Sequence, residues 1–84
     1  MKEKESNLIG LDKMEVGESG EVIYISAEDS MRKRYYDIGL LPGTKIDCLI
    51  KKGKHGMRAY RIRGAVIAIR FADVKNITVS LEGV

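Results

Sequence analysis

The fold of this chain is decided by residues 30–43, which read SMRKRYYDIGLLPG. Met31, Tyr35 and Ile38 recur at i, i+4 and i+7, so they share one face of a predicted short helix. Gly39 follows the last periodic residue and suits the left-handed conformation that ends many helices. The basic residues at 32–34 fall mostly outside the apolar stripe.

The second half of the stretch predicts an abrupt end of the helix, followed by a turn. Leu40 follows Gly39 at the place where a Schellman motif makes an apolar contact with Tyr35, three positions inside the helix end. Pro42 and Gly43 fit the two central positions of a type II turn, where the glycine supplies the positive φ. A strand then follows from residue 44.

The start of the helix has two readings. Ser26 could be the N-cap, with Asp29 three residues later completing a capping box. Alternatively, Asp29 or Ser30 is the cap itself. In both cases Glu28 and Asp29 complement the positive end of the helix dipole.

Outward from this element, period-two apolar runs predict five strands. In the first, residues 21–26, Val22 and Tyr24 face one way while Ile23 and Ile25 face the other, so both faces are expected to be covered. The other four strands are predicted at 44–51, 57–63, 65–70 and 77–81. Their inward residues are predicted to be Ile46, Cys48, Ile50, Tyr60, Ile62, Ile67, Ile69, Ile77, Val79 and Leu81.

Three shorter segments complete the organisation. Residues 8–14 form a lead-in, with a single turn that lays Leu8, Leu11 and Met14 on the core. Glycines bracket a hairpin tip at 52–56, and 71–76 predict one helical turn.

The fold class that follows is mainly β. We expect a small barrel of about five strands, with one short α-helix inserted after the first main strand. Long crossover helices are missing, which argues against a parallel α/β sheet. We expect one domain at 8–84, preceded by a flexible N-terminal segment at 1–7.

Composition narrows the classes of function. A net charge of +3 is a mild excess that permits an acidic partner without demanding nucleic acid. Four tyrosines and one phenylalanine, with no tryptophan, make a poor stacking platform for single strands. The chain has no apolar run long enough for a membrane span and no signal-peptide pattern, so a cytoplasmic protein is expected. The single cysteine, Cys48, fits a reducing compartment.

No motif positions a nucleophile or an acid–base pair, so we expect no enzyme activity and no required cofactor. His55 lies in the glycine-bracketed loop, and Cys48 alternates with core isoleucines as a buried thiol would. One cysteine and one histidine cannot build a closed zinc site. One metal hypothesis stays open, a weak contact of His55 with Fe²⁺ or Zn²⁺ through carboxylates of a neighbouring molecule.

The basic residues form two groups, one on the helix and one around the 52–56 hairpin. Each is either a solvated face or a surface for an acidic protein or a phosphate backbone. The helix contributes Arg32, Lys33 and Arg34, and the hairpin contributes Lys51, Lys52, Lys54 and Arg58.

These motifs together resemble the FeoA family, the small proteins of bacterial ferrous iron uptake. The most specific likeness is the stretch from Arg32 to Gly43, in which a basic helix precedes IGLLPG. The run RGAVIAIR at 63–70 and Ile77 with Val79 match the family's later strands, and residues 8–18 match its opening segment loosely. The resemblance covers about residues 8–81.

The resemblance implies an SH3-like β-barrel that acts as an accessory or regulatory factor. Its implied partner is the cytosolic G-protein domain region of a FeoB-type membrane transporter. We expect the contact surface to include Arg32, Lys33, Leu41 and Pro42, a cationic patch beside an exposed turn. We expect no specific nucleic acid and no membrane insertion, and the oligomeric state stays open. A metal-responsive or nucleic-acid-binding small barrel is the alternative.

Overall fold

The computed structural model describes residues 7–82 of the chain. All but the last residue of the predicted N-terminal segment 1–7, and residues 83–84 of the predicted domain, therefore lie outside the described residues. In chain order the elements are β1 (Leu8–Gly10), a 3₁₀ turn (Leu11–Lys13), β2 (Ser19–Ile25), α1 (Asp29–Asp37), β3 (Lys45–Lys51), β4 (Arg58–Ile62), β5 (Ala65–Ile69), α2 (Phe71–Val74) and β6 (Ile77–Leu81).

The strands form one six-stranded sheet in the order β1-β6-β2-β3-β4-β5, and every neighbouring pair is antiparallel. This confirms the mainly β prediction with a short helix after the first main strand. Antiparallel neighbours need no long helical crossover, which is why a chain without one can build the sheet. Among the described residues, β1 and β5 are the two ends of the series.

The sequence prediction missed β1. The strand pairs with β6 from Leu8↔Ser80 to Gly10↔Thr78, and three residues are too few to establish a period-two pattern. The 3₁₀ turn after it was predicted, and Leu11 and Met14 are fully buried as expected. Leu8 is 40% exposed, so its predicted place on the core was wrong.

The predicted alternation in β2 was also wrong. The β2–β6 register shifts between Val22 and Tyr24, which marks a β-bulge at Ile23. The bulge turns both Val22 and Ile25 inward and leaves Ile23 and Tyr24 exposed. One face of β2 therefore meets solvent, and the expectation of cover on both faces fails.

The same irregularity occurs in β3. Its register with β4 shifts between Cys48 and Ile50, so Ile46 and Cys48 are buried while Ile50 is 37% exposed. The prediction of Ile50 as an inward residue was wrong for this reason. Cys48 is the core thiol that was predicted, with its Sγ 3.8 Å from the carbonyl oxygen of Met14.

The later strands follow their predicted alternation. Ile67 and Leu81 are half-buried against the core. The fully or nearly fully buried residues of these strands include Tyr60, Ile62, Ile69, Ile77 and Val79.

Helix α1 ends in the predicted Schellman motif. Gly39 has φ +96°, and its N–H donates to the carbonyl of Tyr36 at 3.0 Å. The N–H of Leu40 donates to the carbonyl of Tyr35 at 2.9 Å, and both side chains are buried. The paired bonds satisfy the last carbonyls of the helix and turn the chain sharply.

The turn after the helix is the predicted type II turn. The N–H of Thr44 donates to the carbonyl of Leu41 at 2.9 Å, and Gly43 has φ +95°. The turn is joined to β2, because Gly43 donates to the carbonyl of Val22 at 2.7 Å and Val22 donates to Thr44 at 2.8 Å.

The start of the helix differs from both predictions. The N-cap is Glu28, and its side chain makes no capping hydrogen bond. Its carbonyl accepts the first intrahelical bond, from the N–H of Arg32 at 2.8 Å. Neither Ser26 nor Asp29 nor Ser30 is the cap.

Candidate functional site

The predicted contact residues lie at the two ends of one helix–turn unit. Arg32 and Lys33 are the fourth and fifth of the nine residues of α1, and Leu41 and Pro42 follow its C-terminal cap. About 9 Å of helix rise separates Lys33 from Gly39, so the four residues form an extended strip rather than one compact patch.

The two basic residues on the helix are held differently. Arg32 is half-buried, and its Nη2 donates to the carbonyl of Ala27 at 2.7 Å, which ties the guanidinium to the chain before the helix. Lys33 is exposed, and so is the neighbouring Arg34. Lys33 is therefore the more accessible charge for a partner.

The turn presents Pro42 on a rigid backbone. Pro42 is exposed, whereas Leu41 is half-buried with its N–H bonded to the carbonyl of Gly39 at 3.1 Å. A second bond joins that N–H to the Thr44 hydroxyl oxygen at 3.3 Å. The bonds between the turn and β2 hold this corner in place.

A groove lies between α1 and β5, and the sequence prediction did not identify it. It has a volume of about 320 Å³, and the apolar side chains of Met31 and Ile38 face it. Ile38 is exposed, although it shares the helix face of the buried Tyr35. Burial raises the pKa of the Tyr35 phenol, with the nearby Asp73 adding to the effect. The groove is also lined by Arg34, Tyr35, Ala68, Ile69, Arg70 and Asp73.

Strand β5 borders this groove, and all five of its residues are apolar. The two-residue turn Arg63–Gly64 makes Ile62 and Ala65 a hydrogen-bonded pair. From there, non-hydrogen-bonded and hydrogen-bonded pairs alternate along the β4–β5 hairpin. By that alternation, the backbone N–H and C=O groups of Val66 and Ala68 point away from β4 towards the open edge. The Val66 side chain is 61% exposed.

An edge of this kind could not be read from the sequence alone. The β5 pattern reads as an ordinary strand, and only the sheet order reveals that it has one neighbour. Its lack of any charged residue instead suggests a central strand, because edge strands usually carry charges that discourage further pairing.

The β3–β4 loop holds His55 away from the helix–turn unit. The imidazole packs edge-on against the Phe71 ring, with centroids 4.4 Å apart. Arg58 lies beside them, with its guanidinium carbon 5.0 Å from the Phe71 centroid.

Arg58 was predicted to belong to the surface basic group, and that was wrong. It is 1% exposed, and it donates to the carbonyls of Gly56 at 3.0 Å and Lys54 at 2.7 Å. The period of β4 carried the signal, because residue 58 shares the inward face of Tyr60 and Ile62.

Within residues 7–82, no group of three or more His, Cys, Asp or Glu side chains converges as a metal site. Cys48 is buried in the core, and burial raises the pKa of its thiol. His55 is exposed at the loop. The structure does not bring these two residues together as ligands.

No helix in the described part of the chain is long and apolar enough to cross a membrane.

The FeoA domain family model matches residues 9–81 of this chain. A FeoA-like protein from Clostridium acetobutylicum is 30% identical, with TM-score 0.79 over 90% of this chain and 88% of that chain. No curated protein sequence matches significantly.

Two further solved structures are similar in fold. A FeoA from Stenotrophomonas maltophilia, complexed with zinc and described as a prokaryotic SH3 domain protein, is 17% identical with TM-score 0.74, covering 86% of this chain and 89% of that one. A manganese-dependent transcriptional repressor is 23% identical with TM-score 0.80, and the match covers 88% of this chain but 41% of the repressor. The sheet is thus an SH3-like barrel.

Proposed function

This chain belongs to the FeoA family, which is associated with ferrous iron transport, and from that membership we propose that it binds the cytosolic G-protein domain of a FeoB-type transporter. It would act there as an accessory or regulatory protein rather than as an enzyme. A partner of this kind places the protein in the cytoplasm. Family membership is the reason for proposing an iron transporter as the partner. The surface of the chain is the reason for proposing where that partner binds.

One observation carries the proposal, the uncharged open edge of β5. Val66 and Ala68 offer outward backbone donors and acceptors, and an extended segment of a partner can add to them as a further strand. Natural proteins usually protect such an edge from further pairing, so an unprotected edge is a candidate binding surface. The groove beside α1 would then receive an apolar side chain from the same partner segment, against Met31 and Ile38.

Charge supports the same surface. Arg34 and Arg70 line the groove, and exposed Lys33 lies on the helix that forms one wall. Arg70 also pairs with Asp73, with Nε 3.3 Å from the carboxylate oxygen. A cationic rim steers an acidic partner towards an apolar centre. The helix–turn strip of Arg32, Lys33, Leu41 and Pro42 is proposed as the outer part of this contact.

Calorimetric titration of the purified transporter G-protein domain tests the proposal. Val66→Lys places a charge on the open edge and should weaken binding at least about tenfold, because edge lysines block strand addition. Val16→Lys is the matched control, since Val16 is 58% exposed in the turn before β2. Equal affinity of wild type and Val66→Lys would reject the edge as the docking site.

Lys33→Glu tests the electrostatic part separately. We expect slower association at low salt and little change at high salt, because exposed charges act mainly through steering. Lys33 is preferable to Arg32 here, since replacing Arg32 would also remove its bond to Ala27. An association rate that is unchanged at low salt would remove Lys33 from the contact.

Weak metal binding at His55 is a second proposal, supported by the relative that was solved with zinc. A zinc titration of the chain, compared with His55→Ala, would test it. Binding that persists undiminished in His55→Ala would place the metal elsewhere.

A further inference from the structure

The buried guanidinium of Arg58 is an unusual charge. Its two Nη atoms donate to loop carbonyls, but its Nε is buried with no hydrogen-bond partner. None of the ion pairs among the described residues includes Arg58. The guanidinium is thus held by two carbonyls and by the Phe71 ring, 5.0 Å from its carbon, but by no carboxylate among the described residues, so an anion nearby would be stabilised by its charge.

Arg58 lines a cleft of about 350 Å³ between the β3–β4 loop and the 3₁₀ turn. Four cationic side chains line it, Lys13, Lys51, Lys54 and Arg58, against one carboxylate, Asp12. Lys51 also pairs with Glu15, with Nζ 2.9 Å from the carboxylate oxygen. The cleft therefore keeps a local excess of positive charge inside concave walls, where the field of each charge is concentrated.

The loop that forms one wall is fixed before any ligand arrives. Arg58 holds the carbonyls of Lys54 and Gly56, and the N–H of Lys52 donates to the carbonyl of Met57 at 3.0 Å. The rings of Phe71 and His55 pack together at the same place. A pre-organised wall lowers the entropic cost of binding a small ligand.

We propose that this cleft binds a phosphate group. Lysine ammonium groups are effective donors to phosphate oxygens, and the multiple charge of phosphate suits several lysines better than a carboxylate does. Lys13 and Lys54 are the direct donors, and Arg58 supplies fixed charge behind them and positions the loop. The ligand is either free phosphate or a phosphate monoester, and the volume leaves room for the substituent of a monoester.

The test is an amide-shift titration of the ¹⁵N-labelled chain with inorganic phosphate, with ionic strength held constant by sodium chloride. We expect saturable shifts at residues 53–56 and at Lys13. A second titration uses adenosine monophosphate. Tighter binding of the nucleotide assigns the cleft to monoesters, and equal or weaker binding assigns it to phosphate itself. Shifts that grow linearly with both ligands would overturn the proposal.

Variants locate the site. Lys13→Gln combined with Lys54→Gln should weaken phosphate binding by about tenfold or more, because two charge-assisted hydrogen bonds are lost. Lys45→Gln combined with Lys75→Gln removes two exposed positive charges outside the cleft and should leave the affinity unchanged. If this control weakens binding as much as the first double variant, the shifts report general screening and the site is rejected. The transporter is absent from this test, so its outcome is independent of the proposed docking.

Discussion

At the scale of single residues, Gly39 is the position on which the C-terminal end of the helix depends. Its φ of +96° is one that side-chain-bearing residues rarely adopt, and a Cβ there would lie 2.7 Å from Cδ of Arg63. The end of the helix therefore packs against the β4–β5 turn so closely that Gly39 has no room for a Cβ. The sequence motif indicated the conformation, and the structure adds the close approach of Arg63.

Gly39→Ala should lower the free energy of unfolding by about 2–3 kcal/mol, from a strained positive φ and a displaced arginine. Gly17→Ala is the matched control, because Gly17 has φ +94° with nothing within 4 Å of its Cβ position. It should lose only about 1 kcal/mol. Urea unfolding measures both, and equal losses would show that the approach of Arg63 costs nothing.

Buried ionisable residues predict how stability depends on pH. Burial raises the pKa of Tyr60, whose hydroxyl donates to the carbonyl of Leu11 at 3.4 Å, and it also raises the pKa of the Cys48 thiol. The folded state therefore keeps protons that the unfolded chain loses above about pH 8.5 for cysteine and about pH 10 for tyrosine. The stabilisation is complete below those values and is lost as pH rises through the folded-state pKa.

Urea unfolding between pH 7 and 11 should show a declining free energy of unfolding, by at most about 1.4 kcal/mol per pH unit for each group. Tyr60→Phe should lessen the decline above pH 10, to which the raised pKa of Tyr35 also contributes, and Cys48→Ala should lessen it between pH 8.5 and 10. A decline of unchanged slope in both variants would assign it to other groups.

At the scale of elements, α1 has an unused position at its start. Glu28 occupies the N-cap with suitable extended backbone angles, φ −66° and ψ 160°, but makes no side-chain cap. Glutamate is too long for the bond that serine or aspartate makes to the second or third helical N–H.

Glu28→Ser should raise the free energy of unfolding by about 0.5–1 kcal/mol by satisfying one of those N–H groups. Glu28→Ala removes the same charge without providing an acceptor, so it should not stabilise. Denaturant unfolding of the pair gives the difference. A gain in Glu28→Ala equal to that in Glu28→Ser would attribute the effect to charge alone.

The elements also show which structural features could be predicted from the sequence. The helix end, the type II turn and the strands β4 to β6 carry strong local signals, so they could be predicted. The bulges at Ile23 and beside Leu49 could not, because a register shift is decided by how neighbouring strands pack. One extra residue then inverts every later side chain in the strand.

At the scale of the whole molecule, the sheet order decides which surfaces are available. β5 follows β4 in sequence and has no second neighbour within the described chain, so its apolar edge is open. The predicted helix–turn strip and the β5 edge are both products of the fold, but only the first could be inferred from the sequence. Arg58 shows the converse, a residue whose charge suggested a surface position and whose strand period buried it.

An open apolar edge also predicts weak self-association. The chain should show a rising average mass with concentration in analytical ultracentrifugation, because identical edges can pair with each other. Val66→Lys should remain monomeric over the same range, whereas Val16→Lys should behave as wild type. Identical behaviour of the wild type and Val66→Lys would show that the edge does not pair.

Amide hydrogen exchange of the chain with and without the transporter G-protein domain tests the docking claim most directly. Val66 and Ala68 should exchange at least about tenfold more slowly in the complex, because a partner strand would bond their outward N–H groups. Ile23, on the exposed part of β2, should not change. Binding with unchanged exchange at Val66 and Ala68, or no binding at all, would contradict the claim.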